Sequence, residues 1–316
     1  MTTTDDVTSA ASYRPNVADA SSRRWLVTGA AGQLGREILG LLSELGATDV
    51  RAVTRDELDI TDADATARVL DEWLGGADDG ASVVLNCAAY TAVDDAETNE
   101  PAALAINGDG VANLARATAG RARLVHVSTD YVFAGDGTSP YPPDAPTDPQ
   151  SAYGRTKLAG ERAVRELAPA DGYVVRTAWV YGAHGPNFVR TMLRLAGSHD
   201  TLTVVDDQVG SPTWTRHLGL GLIELALSDA PAGIYHCTGG GQCSWFDLAR
   251  AAFTEDGLDP ERVAPTTSDA FPRPAPRPAY SVMSSAQWQA AGLTPLPDWR
   301  AALHDAFERD GDALKP

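Results

Sequence analysis

An apolar run, Trp25-Leu26-Val27-Thr28, leads straight into Gly29, Gly32 and Gly35, and a helical spacing of Ile38, Leu39, Leu41, Leu42 and Leu45 follows at once. This order of strand, glycine turn and helix restricts the chain more than any other feature. Glycines at such a turn let the backbone bend tightly and come close to a pyrophosphate, which then sits at the positive end of the helix. A glycine triplet alone is a weak signal, because surface loops carry glycine for many reasons. Between a buried strand and an amphipathic helix it points to a dinucleotide site formed by Gly29, Gly32, Gln33, Leu34 and Gly35.

The same alternation continues downstream. The pattern predicts a strand at about 50–54, a helix at about 62–74, a buried strand at Val83–Leu85, a helix at about 101–118 and a buried strand at Leu124–Val127. Strands alternating with helices imply an α/β fold, here a Rossmann-type doubly wound parallel sheet. Beyond Arg176 the regularity weakens. Segments 204–215 and 234–238 look like short strands, and 271–281 is a proline-rich loop. The expected organisation is a disordered tail over 1–22, a dinucleotide-binding domain over 23–176, and a smaller C-terminal substrate lobe over 177–316 with some segments returning to the first domain.

Composition excludes several partners. Of 316 residues 43% are hydrophobic, enough for a sizeable core, and the net charge of −18 argues against nucleic acid or an anionic lipid surface. No apolar stretch is long enough to span a bilayer, and the polar, acidic N-terminus resembles no signal or transit peptide, so the cytoplasm is the expected compartment. Cys87, Cys237 and Cys243 give no disulfide framework and no common zinc spacing, so no metal site is expected. The aspartate-rich, lysine-poor surface looks like that of a salt-adapted, halophilic protein, with an acidic protein from a GC-rich mesophile as the alternative.

The end of the second strand separates the nicotinamide cofactors, because a carboxylate there holds a free ribose 2′-hydroxyl and a basic residue accommodates a 2′-phosphate. Here the residues are Val53-Thr54-Arg55-Asp56. Arg55 favours NADPH, whereas the adjoining Asp56 keeps NADH as an alternative. Asp59 and Ile60 are placed to meet the adenine. Lys157 and Lys315 are the only lysines in the chain, and Lys157 stands four residues after Tyr153. Residues so spaced share a helix face, and a nearby cation lowers a phenol's pKa toward what proton transfer requires. An ordinary surface pair is the competing explanation.

Five further segments decide between these. Ser128–Gly135 (S-T-D-Y-V-F-A-G), Tyr153–Glu161 (Y-G-R-T-K-L-A-G-E), Arg176–Gly182 (R-T-A-W-V-Y-G), Asn187–Ala196 (N-F-V-R-T-M-L-R-L-A) and Asp207–Thr213 (D-Q-V-G-S-P-T) occur in this order. Together they resemble the dTDP-4-dehydrorhamnose reductase family, of the extended short-chain dehydrogenase/reductase superfamily, over roughly residues 24–310. The resemblance implies NADPH-dependent reduction of the 4-keto group of dTDP-4-dehydro-L-rhamnose to dTDP-L-rhamnose. It carries the family's catalytic residues onto Thr129, Tyr153 and Lys157, and its sugar contacts onto Thr129, Asp130 and Trp179. The loop Ala88, Ala89, Tyr90 and Thr91 matches the family's cofactor lining, with Thr91, Val93 and Asp94 expected toward the sugar. It also implies that Tyr153 and Lys157 touch the cofactor, and that the partner is a nucleotide sugar. Some relatives form homodimers through magnesium.

Related chemistries leave other marks. Dehydratases of the superfamily carry a glutamate after the aspartate, and here Tyr131 follows Asp130. Epimerases commonly show an acidic residue where Thr54-Arg55 stands. A non-catalytic regulatory subunit of methionine adenosyltransferase resembles the same family, but retention of Thr129, Tyr153 and Lys157 together favours catalysis.

Overall fold

The structure is a computed structural model that describes residues 13–75 and 81–315. Strand β1 (Arg24–Thr28) shows why its residues are nearly all apolar. Trp25 and Val27 enter one core with Ile38 and Leu41, while Leu26 enters another with Leu70 and Val84. A strand covered on both faces belongs inside a parallel sheet. It is followed by α1 (Gln33–Glu44), β2 (Val50–Val53), α2 (Ala63–Leu74) and β3 (Ser82–Asn86). Asp62 caps α2 by accepting the Ala65 N–H at 2.8 Å.

A short α3 (Val93–Ala96) precedes a helical stretch that is continuous in the sequence pattern but not in the backbone. It divides into α4 (Glu100–Leu104), a π turn over Ala105–Asp109, and α5 (Gly110–Thr118). Then come β4 (Arg123–Thr129), α6 (Ala152–Leu167) and β5 (Gly172–Thr177). The remaining elements are β6 (Val180–Tyr181), α7 (Phe188–Ala196), β7 (Leu202–Val205), β8 (Val209–Gly210), β9 (Thr213–Trp214), α8 (Thr215–Leu227), β10 (Gly233–His236), β11 (Cys243–Ser244), α9 (Trp245–Glu255), β12 (Val263–Thr266), α10 (Ala286–Ala290) and α11 (Trp299–Leu314).

The main sheet has six parallel strands in the order β2-β1-β3-β4-β5-β10. Helices α1 and α8 cover one face and α2, α5 and α6 the other. The chain leaves β1 toward one edge and returns to β3 on the other side, so the loops after β1 and β3 diverge. A crevice opens at that switch point, outside the carboxyl ends of the strands. Beside the sheet, α7, α9 and α11 pack with Trp214, Leu248 and Leu303 into a separate core, and β7 pairs with β12.

The short strand expected at 234–238 is present as β10, at the edge of the main sheet. Three expectations change. The anticipated strand at 204–215 is three short pieces, β7, β8 and β9. The lobe after Arg176 is more helical than its sequence suggested, because α8 is apolar on nearly all sides and shows little periodicity. Of the expected disordered tail, residues 1–12 lie outside the described residues, and Tyr13–Ser22 is anchored to the fold through Tyr13, Asn16 and the buried Ala20. Tyr13 lies against His217 with ring centroids 5.0 Å apart, and the Asn16 N–H donates to Glu224 at 2.9 Å. Trp25 Nε1 donates to the Ala20 carbonyl at 2.9 Å.

Candidate active site

Gly29 has φ +63°, and a Cβ there would lie 2.6 Å from the Ala88 nitrogen. A Cβ on Gly35 would lie 2.3 Å from the Gly29 carbonyl oxygen. The turn therefore needs glycine both for its conformation and for its approach to the loop after β3. No side chain caps α1 at Gly32, which leaves the helix's first N–H groups available to an anion. Gln33 sits at that terminus and reaches the C-terminal lobe. Its Oε1 accepts from Asn187 Nδ2 at 3.0 Å, and its Nε2 donates to the Val180 carbonyl at 3.4 Å.

At the end of β2, Arg55 has its side chain 77% exposed and only a loose 3.8 Å pairing with Asp59, so it is free to meet a ligand. The Asp59 carboxylate accepts the Thr61 N–H and O–H at 3.0 and 2.8 Å, which lowers its pKa and ties it to its own turn. Ile60 is buried against Gly110, so its side chain faces the core rather than an adenine.

Gly32, Leu34, Ala89, Thr91, Val93, Thr129, Asp130, Tyr153, Lys157 and Trp179 line one cavity of about 640 Å³ at the switch point. Thr129 ends β4, while Tyr153 and Lys157 lie a turn apart on α6. Ser151 caps α6 by accepting the Gly154 N–H at 3.1 Å. A Cβ on Gly154 would lie 2.2 Å from the Tyr131 carbonyl oxygen, so the helix start abuts the segment after β4. Behind them a buried bidentate pair, Arg176 to Glu161 at 2.9 and 2.7 Å, ties α6 to β5, and Ser128 donates to Glu161 at 2.6 Å.

Lys157 is buried and donates to the Val127 carbonyl at 2.7 Å, with Nζ 3.4 Å from His126 Nε2. Its other neighbours form a buried chain. Asn86 Oδ1 accepts the Thr28 hydroxyl at 2.6 Å and the Ala88 N–H at 3.1 Å, which orients the amide. Asn86 Nδ2 then donates to His126 Nδ1 at 2.9 Å, so Nε2 carries the ring proton and faces Lys157 as a donor. Burial brings Lys157 down to about 8 and holds His126 well below its ordinary value.

The expected lowering of the tyrosine is corrected. Burial pushes Tyr153 up to about 12, opposed by the Thr129 hydroxyl, and the ammonium is turned toward β4 instead of the phenol. Desolvation dominates, with the Asp130 charge adding to it, and the phenol holds its proton.

The loop after β3 is clamped from the π turn. Asn107 Oδ1 accepts the Tyr90 N–H at 2.8 Å, and its Nδ2 donates to the Tyr90 carbonyl and to Thr156 Oγ1, both at 3.1 Å. The Tyr90 hydroxyl bonds to the Asp95 carboxylate, away from the cavity. Ala88 is pressed against Gly29. Asp94, expected toward the sugar, is committed to the proline-rich loop through Arg277 at 3.0 Å and the Ala275 N–H at 3.2 Å.

Trp179 has φ +49°, and its ring stacks on Trp245 with centroids 3.5 Å apart. A Cβ on Gly210 would lie 2.4 Å from that ring. Trp245 also lines the cavity and donates to Gln208 at 3.1 Å. Asn86, Asn107, His126 and Trp245 were not singled out from sequence. Only Asn107 left a signal, since asparagine within I-N-G-D-G interrupts an otherwise helical run.

A glycine turn at the sheet's switch point, opening into a cavity with threonine, tyrosine and lysine, defines a nicotinamide-dependent oxidoreductase of the short-chain type. The comparisons narrow the class. The family model described as RmlD substrate binding domain matches residues 23–311, and the chain belongs to that family. It is 53% identical over 290 residues to a dTDP-4-dehydrorhamnose reductase of Streptomyces griseus, covering 90% of this chain and 93% of that one. It is 49% identical over 286 residues to a probable dTDP-4,6-dihydroxy-2-methyloxan-3-one 4-ketoreductase of Streptomyces antibioticus, covering 90% and 94%. The crystal structure of a dTDP-4-dehydrorhamnose reductase from Bacillus anthracis in complex with NADP superposes with a TM-score of 0.83 at 35% identity, covering 91% of this chain and 99% of that one.

Proposed function

We propose that this protein uses NADPH to reduce the 4-keto group of dTDP-4-dehydro-L-rhamnose to dTDP-L-rhamnose, as a cytoplasmic step in nucleotide-sugar synthesis. The observation that carries it is the meeting of Thr129, Tyr153 and Lys157 in one cavity with the uncapped start of α1. The residues present suit a nicotinamide dinucleotide. The N–H groups after Gly32 hold the diphosphate, Arg55 takes the 2′-phosphate, and Lys157 binds ribose hydroxyls. When bound, the cofactor supplies a hydride to the sugar's C4.

The chain's own residues do the rest. Thr129 donates to the substrate carbonyl and Tyr153 gives its proton to the oxygen that becomes a hydroxyl. The Tyr153 phenol suits an acid because its raised pKa keeps it protonated until negative charge develops on that oxygen. Trp179, stacked on Trp245, holds the sugar.

A second reading is the reduction of another 4-keto-6-deoxy sugar nucleotide, favoured by the similarity to the Streptomyces antibioticus relative. The test offers both sugar types to the purified protein and compares kcat/KM. A preference for the rhamnose precursor supports the first reading, and a reversed preference replaces it with the second. No oxidation with either, together with tight binding to a partner enzyme, replaces both with a regulatory role.

A further inference from the structure

Thr129 has one hydroxyl proton and several claimants for it. In this structure Asp130 Oδ1 takes it at 2.9 Å. The Tyr153 hydroxyl is near enough for the Thr129 hydroxyl to oppose the rise in its pKa, and the carbonyl of a bound ketone would be the third. On the accepting side, the Tyr131 N–H donates into Thr129 Oγ1 at 3.2 Å, which leaves one lone pair.

An ionised Asp130 wins this competition, because hydrogen bonds to a charged partner are roughly twice as strong as neutral ones. The Thr129 proton is then spent on Asp130, and the remaining lone pair of Thr129 draws the Tyr153 proton. Neither hydroxyl is left to donate to a ketone. A neutral Asp130 reverses the set. Its O–H donates into Thr129 Oγ1, Thr129 turns its proton outward, and Tyr153 is released to do the same.

Burial shifts Asp130 toward that neutral form. It is 3% exposed, and Oδ2 makes no hydrogen bond of ordinary geometry. The groups that face it are Tyr153 from α6, Tyr131 beside it and the Ser281 hydroxyl from the end of the proline-rich loop. None of these is a cation, and Arg277 acts on Tyr131 without acting on Asp130. Burial pushes the carboxyl up to about 6, against the pull of the Ser281 and Thr129 hydroxyls and of the Asp130 and Tyr131 backbone N–H groups.

We propose that Asp130 is a positioning residue whose neutral form frees the Thr129 and Tyr153 protons for the substrate carbonyl and whose ionised form holds both back. This deepens the reductase reading and rests on it. The sign follows directly. The neutral fraction falls tenfold for each pH unit above the carboxyl's pKa, so kcat falls as pH rises. A sugar filling the cavity removes more water and moves that limb upward.

The test is kcat against pH over roughly pH 5 to 9 for the wild type and Asp130→Asn, with saturating NADPH and dTDP-4-dehydro-L-rhamnose. An asparagine N–H donates into Thr129 Oγ1 at every pH and so imitates the neutral acid. The expected result is a wild-type kcat that drops up to tenfold per unit above the Asp130 limb, and a variant profile that lacks this limb and keeps only the change set by Lys157 near 8. A wild-type profile without the limb, or the same limb at the same pH in Asp130→Asn, overturns the proposal.

Should the variant not fold, infrared titration of the wild type decides instead. With NADP and dTDP-L-rhamnose bound, the band of the neutral aspartic acid must then disappear at the same pH as kcat, and a midpoint more than about one unit away overturns the proposal. A wild type that turns over nothing at any pH overturns the reductase reading, and this inference with it.

Discussion

Replacing Lys157 with arginine keeps the charge and changes only its shape. Nζ lies 2.7 Å from the Val127 carbonyl and 3.4 Å from His126 Nε2, on a residue that is 2% exposed. A guanidinium brings five N–H donors in a planar fork. The site offers it the Val127 oxygen, whereas His126 Nε2 carries its own proton and accepts nothing. Each buried donor left unpaired costs about 1–3 kcal/mol, and overfilling a packed site costs a further ~1–3 kcal/mol. The arginine relieves both by swinging into the cavity, where it takes the space of the ribose. Steady-state kinetics should show kcat/KM lower by about two orders of magnitude, which is about 2.7 kcal/mol of transition-state stabilisation. Lys315→Arg is the control. Lys315 pairs with Asp256 at 3.0 Å on the surface, and its replacement should leave activity unchanged. A Lys157→Arg enzyme as active as the wild type would refute the reasoning from the packing.

Arg55→Ala should reduce kcat/KM with NADPH about tenfold or more and barely alter it with NADH, since a charge-assisted contact is worth about 1.5–3 kcal/mol. Equal losses with both cofactors would remove Arg55 from the 2′-phosphate. Arg176→Met leaves the Glu161 carboxylate buried without its partner and should cost about 3–5 kcal/mol in urea unfolding, while Glu161→Leu combined with Arg176→Met recovers most of that loss. A single variant of wild-type stability would contradict the role of the pair.

Acid should destabilise the protein early. Burial brings His217 down to about 4 and His236 to about 3, and holds His126 well below its usual value. The unfolded chain protonates each near pH 6.5 whereas the folded chain does not. Their stabilisation is therefore full above about pH 6.5 and is lost as pH falls toward 4, by up to ~1.4 kcal/mol per unit for each histidine, with Asp130 opposing in part. A Tm that stays constant across that window would show that the histidines are not held neutral.

The residues that define the fold were legible because their signals are local. The strand before Gly29 is apolar on both faces, and its glycines follow within one turn of chain. The five motifs contain Thr129, Tyr153 and Lys157 and also Trp179, which the fold brings together on one cavity wall. Features made by distant contacts left no such signal. Trp245 stacks on Trp179 from 66 residues away, and β10 joins the main sheet only through its pairing with β5. Helix α8 hides its orientation because it is covered nearly all round. The phenol's acidity was misjudged for a related reason. Spacing shows that Tyr153 and Lys157 share a helix face, but which carbonyl captures the ammonium, and how deeply the phenol is buried, depends on β4 beneath them.

The most direct measurement is the reaction itself, followed by the loss of NADPH absorbance with dTDP-4-dehydro-L-rhamnose in buffers of increasing salt. The account predicts that NADPH disappears mole for mole with the appearance of dTDP-L-rhamnose, and more slowly when NADH replaces it. Absence of NADPH and NADH oxidation at every salt concentration, in a protein that binds both nucleotides, would contradict it.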